Sequence, residues 1–177
     1  MANAVRAGRP SDNEASDVTV LNPKNRNLKI PTQAEYAAFD GRHCRNLYRS
    51  LAEDRRCPGC ARSKFEILRW TLLYPKLPTR YEGWAGGYHR HHDHGVGLIR
   101  FGRGGRFPDT VVCEQCNSAD GTAKRKLKLP GAFSFAPSEI RAFVTATPHG
   151  FHVIDFAVAQ AIFDALQIPS RPSFGST

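Results

Sequence analysis

Apolar positions along this chain recur in short, broken runs, and the breaks are as informative as the runs. Thr32 and Glu35 have the spacing of a capping box, which predicts a helix start at residue 33. Tyr36, Phe39, Leu47 and Leu51 then recur at roughly helical spacing, interrupted near Gly41, so one or two helices are expected between 33 and 54. The run 65–74 is apolar enough to be buried, but its period fits a short helix and a strand equally; Pro75 and Pro78 end it. Residues 88–94 read as extended, Gly95-Val96-Gly97 as a turn, and Thr110-Val111-Val112 as a second short strand. The polar stretch 117–128 is capable of helix. Pro137-Ser138-Glu139 begins a short helix through about Val144, and Val153, Phe156, Ala159, Phe163 and Leu166 form an apolar stripe for a second one. No internal repeat interrupts this order.

At 177 residues the chain suffices for one core of ordinary size with arms. The formal charge is +9 and unevenly placed. From Leu129 onward Arg141 and Arg171 face Glu139, Asp155 and Asp164, a net of −1, so residues 1–128 carry +10. A half that basic suits a polyanion, since each neutralised phosphate releases counterions. Residues 1–30 are polar, rich in Asn, Asp, Ser, Arg and Pro, with no apolar run to serve as a signal core. The most apolar late stretch, 151–166, is broken by Asp155, Gln160 and Asp164 and is too short to span a bilayer. The expectation is a soluble, cytoplasmic protein without a membrane partner.

In a reducing compartment, cysteines grouped in pairs point to metal rather than to disulfides. Cys57-Pro58-Gly59-Cys60 and Cys113-Glu114-Gln115-Cys116 are two such pairs, with 52 residues between Cys60 and Cys113. Pro58 fixes one backbone angle and Gly59 permits an unusual one, which lets both sulfurs of the first pair converge. Four thiolates make the closed tetrahedral site that Zn²⁺ favours, a structural rather than a catalytic site. The lone Cys44 reads as a packing residue.

Four of the seven histidines lie within Tyr88-His89-Arg90-His91-His92-Asp93-His94. Hydrolysing a phosphodiester at neutral pH needs a base to activate water and a cation to stabilise the charge that builds on phosphate and leaving oxygen. Histidine titrates in the right range, and Asn, Asp or a neutral imidazole can hold a cation while leaving positions open. The ordered pattern 91–100, then 112–121 with both cysteine pairs, then Lys124-Arg125-Lys126, resembles the recombination endonuclease VII type of HNH nuclease, the His-Me or ββα-metal finger. The likeness covers about 57–128. It implies that His92 is the general base, that His94 assists, and that Asn117, directly after the last cysteine, binds a catalytic Mg²⁺ or Mn²⁺ together with His91. His91 stands where the family has Asp, which should favour softer ions such as Mn²⁺ or Ni²⁺. A second register, with Asp93 as ligand and His94 as base, stays open; the first keeps the turn and Arg100 in step with the family. Asp120 matches an acidic position of the family helix and reads equally as a helix-surface carboxylate. His89 has no assigned role.

Arg100, Arg103, Arg106, Lys124, Arg125, Lys126 and Lys128 are candidate DNA phosphate contacts, and Arg42, Arg45 and Arg49 a basic face. The expected fold class is α+β: a small zinc-stapled ββα-metal (HNH) core at 57–130, preceded by a polar arm at 1–30 and a helical segment at 31–56, and followed by a helical segment at 131–177. The expected function is a divalent-metal-dependent DNA endonuclease, either site-specific or structure-specific, with a homodimer compatible with the C-terminal stripe. The rival is a non-catalytic zinc-knuckle nucleic-acid-binding protein.

Overall fold

The computed structural model describes residues 22–41, 46–94 and 105–167. The arm up to residue 21, Arg42, Cys44, Arg45, the turn at 95–97, Arg100 and Arg103 lie outside the described residues. Within them the fold is mixed α+β, built from three two-stranded antiparallel sheets and six helices. Among the described residues no helix is long and apolar enough to cross a membrane.

Two short helices come first, α1 (Gln33–Ala37) and α2 (Asn46–Ser50). The Thr32 hydroxyl accepts the Glu35 N–H, and the Glu35 carboxylate accepts the Thr32 N–H, so the capping box forms as its spacing requires. The same device recurs at Ser63 and Glu66, at the head of α3 (Lys64–Ile67). The ambiguous apolar run resolves here. Helix ends at Leu68, which is fully buried in an extended conformation, and strand β1 (Arg69–Leu73) follows, so the run contains both periods in succession. β1 pairs with β2 (Tyr81–Ala85), placing Trp70 opposite Trp84 with their rings edge-to-face at 5.2 Å. β2 carries two aromatic residues, Tyr81 and Trp84, separated by Glu82 and Gly83, and too little alternation to stand out in the sequence.

Strand β3 (Tyr88–His91) pairs with β4 (Thr110–Cys113), with Tyr88 opposite Cys113 and His91 opposite Thr110. Helix α4 (Glu114–Leu127) leaves β4 without a connecting loop. It begins three residues earlier than the polar pattern suggested, so Cys113 is its N-cap and Cys116 lies in its first turn. Its inner face is Cys116, Ala119 and Ala123, all buried, and these small side chains let α5 (Pro137–Phe143) and α6 (Phe156–Gln167) approach closely. A two-residue ribbon, β5 (Val144–Thr145) with β6 (Val153–Ile154), joins α5 to α6. Val153 of the expected helical stripe therefore belongs to a strand. The covered face of α6 is Val158, Ala159, Ile162 and Phe163, while Leu166 is exposed.

One hydrophobic cluster runs from Tyr48 through the cysteines to Ala159. Phe135 sits at its centre, edge-to-face with Phe133 at 4.7 Å and Phe143 at 4.8 Å. Residues that read as the end of a polar arm also dock: the Asn25 amide donates to the Phe151 carbonyl and accepts the Phe151 N–H, and the Asn22 amide donates to the His152 carbonyl.

His149 turns the chain before β6 with a left-handed φ of 58°. Its Nδ1 lies 3.0 Å from the Leu68 carbonyl, which can only accept, so Nδ1 carries the proton. Burial holds its pKa below the ordinary histidine value, Arg62 adds to that, and the Leu68 bond opposes it. A depressed folded pKa contributes stability that is present above the unfolded value of about 6.5 and lost as pH falls through the folded one. The urea midpoint should drop between pH 7.5 and 5.5, and less steeply in His149→Asn, since Asn tolerates this φ and does not titrate. Equal drops in both proteins would show that His149 is not the titrating group.

Candidate functional site

Two hairpin ends meet at the cysteines. In the turn after Cys57 the Cys60 and Ala61 N–H groups both donate to the Cys57 carbonyl, and Ala61 takes a left-handed φ of 61°. That turn aims both sulfurs at the junction of β4 and α4. The Cys57 and Cys116 sulfurs lie 3.7 Å apart, as do those of Cys60 and Cys113, and all four lie within 4.8 Å of one another. A tetrahedron with Zn–S bonds of about 2.3 Å has edges of about 3.8 Å, so the group fits zinc without rearrangement. All four are free thiols, three of them buried. The Cys113 N–H donates to the Cys57 sulfur at 3.1 Å. Cys113 is held well below the ordinary thiol value by hydrogen bonds from Cys116, Cys57 and Cys60, and Cys116 is pushed up in return. Cys60 is lowered too, to about 5, so the two sulfurs that face each other at 3.7 Å are the acidic pair of the four.

Two residues that the sequence did not single out complete the surroundings. The Arg62 guanidinium is 3.5 Å from the Cys113 sulfur and donates to the Thr147 and Gly150 carbonyls. His152 Nε2 lies 3.4 Å from the Cys116 sulfur. A closed four-thiolate zinc site carries excess negative charge, and these two groups stand against its sulfurs to offset it. A basic residue two positions after a cysteine pair is a weak sequence signal for Arg62; His152, 36 residues beyond Cys116, has none.

Gly59 is required by space rather than by dihedral angle. A Cβ there would stand 3.0 Å from the Cys116 sulfur and 3.3 Å from its Cβ. Gly59→Ala should therefore displace a ligand, lowering zinc affinity and costing on the order of 1–3 kcal/mol through overpacking. Chelator competition and denaturant melts measure both, and unchanged values would show that Cys116 has room to move.

The histidine cluster occupies the far end of β3. His91 is buried, stacked on Phe107 at 5.3 Å, and its Nε2 lies 2.7 Å from the Phe135 carbonyl oxygen. The carbonyl can only accept, so Nε2 carries the proton and Nδ1 keeps its lone pair. The Phe135 N–H donates in turn to Oδ1 of Asp120, at 2.9 Å, and Asp120 is buried in α4. One residue is thus gripped by β3 through its carbonyl and by α4 through its amide. Asn117 lies three residues before Asp120, on the same side of α4, and is half-buried. His92 and His94 are exposed, their rings 4.4 Å apart. Asp93 between them is buried, and its Oδ2 accepts the Arg106 N–H at 2.9 Å. Among the described residues, the four cysteines are the group of His, Cys, Asp or Glu side chains whose ligand atoms converge; residues 91–94 do not converge in that way.

The basic candidates separate by their partners. The Arg106 guanidinium donates to the Ser134 carbonyl and pairs with Glu139, and Lys124 pairs with Asp120 at 2.8 Å while donating to the Phe133 carbonyl. Lys124 thus holds the 133–139 segment against α4, and Arg106 ties the same segment to the chain before β4. Arg125, Lys126 and Lys128 are exposed at the C-terminal end of α4. Comparison with the models of known families, with curated proteins and with solved structures finds no match to this chain.

Proposed function

We propose that this protein is a divalent-metal-dependent DNA endonuclease of the HNH, His-Me finger type, with β3, β4 and α4 as its ββα core and a structural zinc at the four cysteines. The observation that carries the reading is the double grip on Phe135. It draws the end of β3, with His91, against the side of α4 that bears Asn117, and it leaves the His91 Nδ1 lone pair available. An imidazole whose other nitrogen donates to a backbone carbonyl is oriented as metal-binding histidines commonly are. His91 and the Asn117 amide oxygen are the residues that would hold the catalytic ion. When bound, such an ion supplies positive charge to the scissile phosphate and the leaving oxygen.

The chain's own residues do the rest. His92, exposed beside His91, accepts a proton from the attacking water, and the neighbouring His94 assists. Exposure suits that role, because a duplex must reach the base from outside. Asp93 is engaged with the Arg106 backbone, which favours the register with His91 as ligand over the one with Asp93 as ligand. Arg125, Lys126 and Lys128 supply phosphate contact. The test is plasmid and four-way-junction cleavage with Mg²⁺, Mn²⁺ or EDTA, comparing wild type with His92→Ala. Discrete fragments, a smear or junction-only products name the substrate class, and binding without cutting under every metal replaces this reading with a zinc-knuckle binding protein.

A further inference from the structure

A groove of about 390 Å³ runs beside α4, on a different face from Asn117. Ser118, Thr122 and Arg125 line it from α4, and Lys24, Arg69 and Phe151 add a wall from outside the helix. On a helix each residue turns about 100°, which sets Ser118, Thr122 and Arg125 roughly 80–140° round from Asn117. The wall is assembled from three distant parts of the chain, and Phe151 organises it. The Arg69 guanidinium packs 4.4 Å from the ring centroid and Lys24 Nζ 5.1 Å, so both cations are held at the groove by one aromatic ring. Phe151 is fixed there by its paired hydrogen bonds with the Asn25 amide.

The charge is unbalanced. Three cations, Lys24, Arg69 and Arg125, face one carboxylate, Glu114, whose contact with Arg69 is a loose 3.7 Å. Arg125 donates to the Thr122 hydroxyl at 3.2 Å, leaving further guanidinium donors beside Ser118, which is exposed. Cations backed by hydroxyls along a shallow helix face match the spaced oxygens of a phosphodiester backbone. A second groove, near Tyr36, Phe39 and Tyr48, sets Arg49 and Lys64 against Asp40 and Glu53, and its Lys64 and Tyr36 side chains already bond Glu53. It has no comparable excess.

The geometry points to a second nucleic-acid contact: Lys24, Arg69 and Arg125, with the Ser118 and Thr122 hydroxyls, bind backbone phosphates of the same DNA a few nucleotides from the cut. This rests on the nuclease reading and extends it. From Asn117 to Thr122 the helix rises roughly 7.5 Å, about two phosphate steps along one strand. The N-terminal segment at Lys24 and the strand at Arg69 are thereby drawn into DNA binding, although neither belongs to the ββα unit.

The experiment is fluorescence anisotropy with a labelled 20-bp duplex, on the zinc-loaded full chain without added divalent ion, across a series of chloride concentrations. Wild type is compared with Lys24→Glu, Arg69→Gln and the double variant, with Arg80→Gln as a control, since Arg80 lies outside the groove on the β1–β2 hairpin and pairs with Glu82. Each groove variant should weaken binding several-fold and lower the slope of log Kd against log salt by about one unit per cation removed. Lys24 is exposed, so its variant reports even if the half-buried Arg69 proves necessary for folding. Groove variants with wild-type affinity and slope overturn the proposal and leave the nuclease reading standing. A wild type that binds no DNA overturns both. Inorganic phosphate displacing the duplex from wild type, beyond chloride of equal ionic strength, but not from Lys24→Glu, would mark a free-anion site and overturn the proposal as well.

Discussion

Purified protein is expected to carry about one zinc per chain, and stripping it should unfold β3, β4 and α4 together. The cysteines pin the turn at 57–60 to the junction where β4 becomes α4, and Cys57, Cys113 and Cys116 all lie inside the main hydrophobic cluster. Without an ion, four thiols packed within 4.8 Å either stay protonated, losing every strong bond among them, or ionise and repel. Structural zinc in small modules contributes on the order of 10 kcal/mol, comparable with the whole stability of a domain this size. Cys113→Ser should be the most damaging single ligand change, because Cys113 ends β4 fully buried and its sulfur meets both the Cys60 sulfur and the Arg62 guanidinium. The readouts are zinc per chain, and thermal melts with and without a strong chelator. A chelator that removes the metal yet leaves the melting temperature unchanged would show that apolar packing alone holds the hairpin to the helix.

The second large effect is on chemistry alone. His92→Ala should lower DNA cleavage by roughly 10²–10⁴-fold, the ordinary contribution of a positioned general base, while zinc content and melting temperature stay at the wild-type level. The side chain is exposed, so its removal leaves no cavity. His91→Ala is expected to abolish cleavage too, but with a loss of stability, since it removes the stack on Phe107 and leaves the Phe135 carbonyl without its donor. Excess Mn²⁺ should restore part of the activity of a weakened ligand variant and none of that of His92→Ala. The two registers are separated by His94→Ala: a loss as large as that of His92→Ala, with Asp93→Asn equally inactive, would move the base to His94.

Both predictions depend on a site that was unevenly legible. The cysteine pairs and the two short strands could be read locally, because ligand spacing and β-alternation are properties of neighbouring residues. The capping boxes are local as well, and the one at Thr32 is plain from its spacing; the one at Ser63 is hidden before a run whose period changes from helix to strand at Leu68. The true start of α4 is hidden because Cys113 and Glu114 look like a knuckle, and nothing local says that a knuckle cysteine also caps a helix.

Free and neutralised charges look alike in a sequence. Arg106 and Lys124 counted among the cations available to phosphate, yet the fold engages them with Glu139 and Asp120, carboxylates 33 and 4 residues away. Lys24 and Arg69 carry no local signal, and tertiary packing sets both on Phe151. Composition fixes how many charges exist; only packing decides which are neutralised.

By itself, the sequence determined the metal-type cysteine set, the order of strand, strand and helix, and the placing of four histidines at one strand end, all written in spacing over a few residues. The tertiary structure alone decided that 133–135 passes between β3 and α4, that Phe135 fixes the His91 tautomer, that Arg62 and His152 flank the sulfurs, and that the chain near Asn22 closes on 151–152. These contacts join residues tens of positions apart through backbone carbonyls and amides. Every residue type carries those groups, so no side-chain pattern in the sequence announces them.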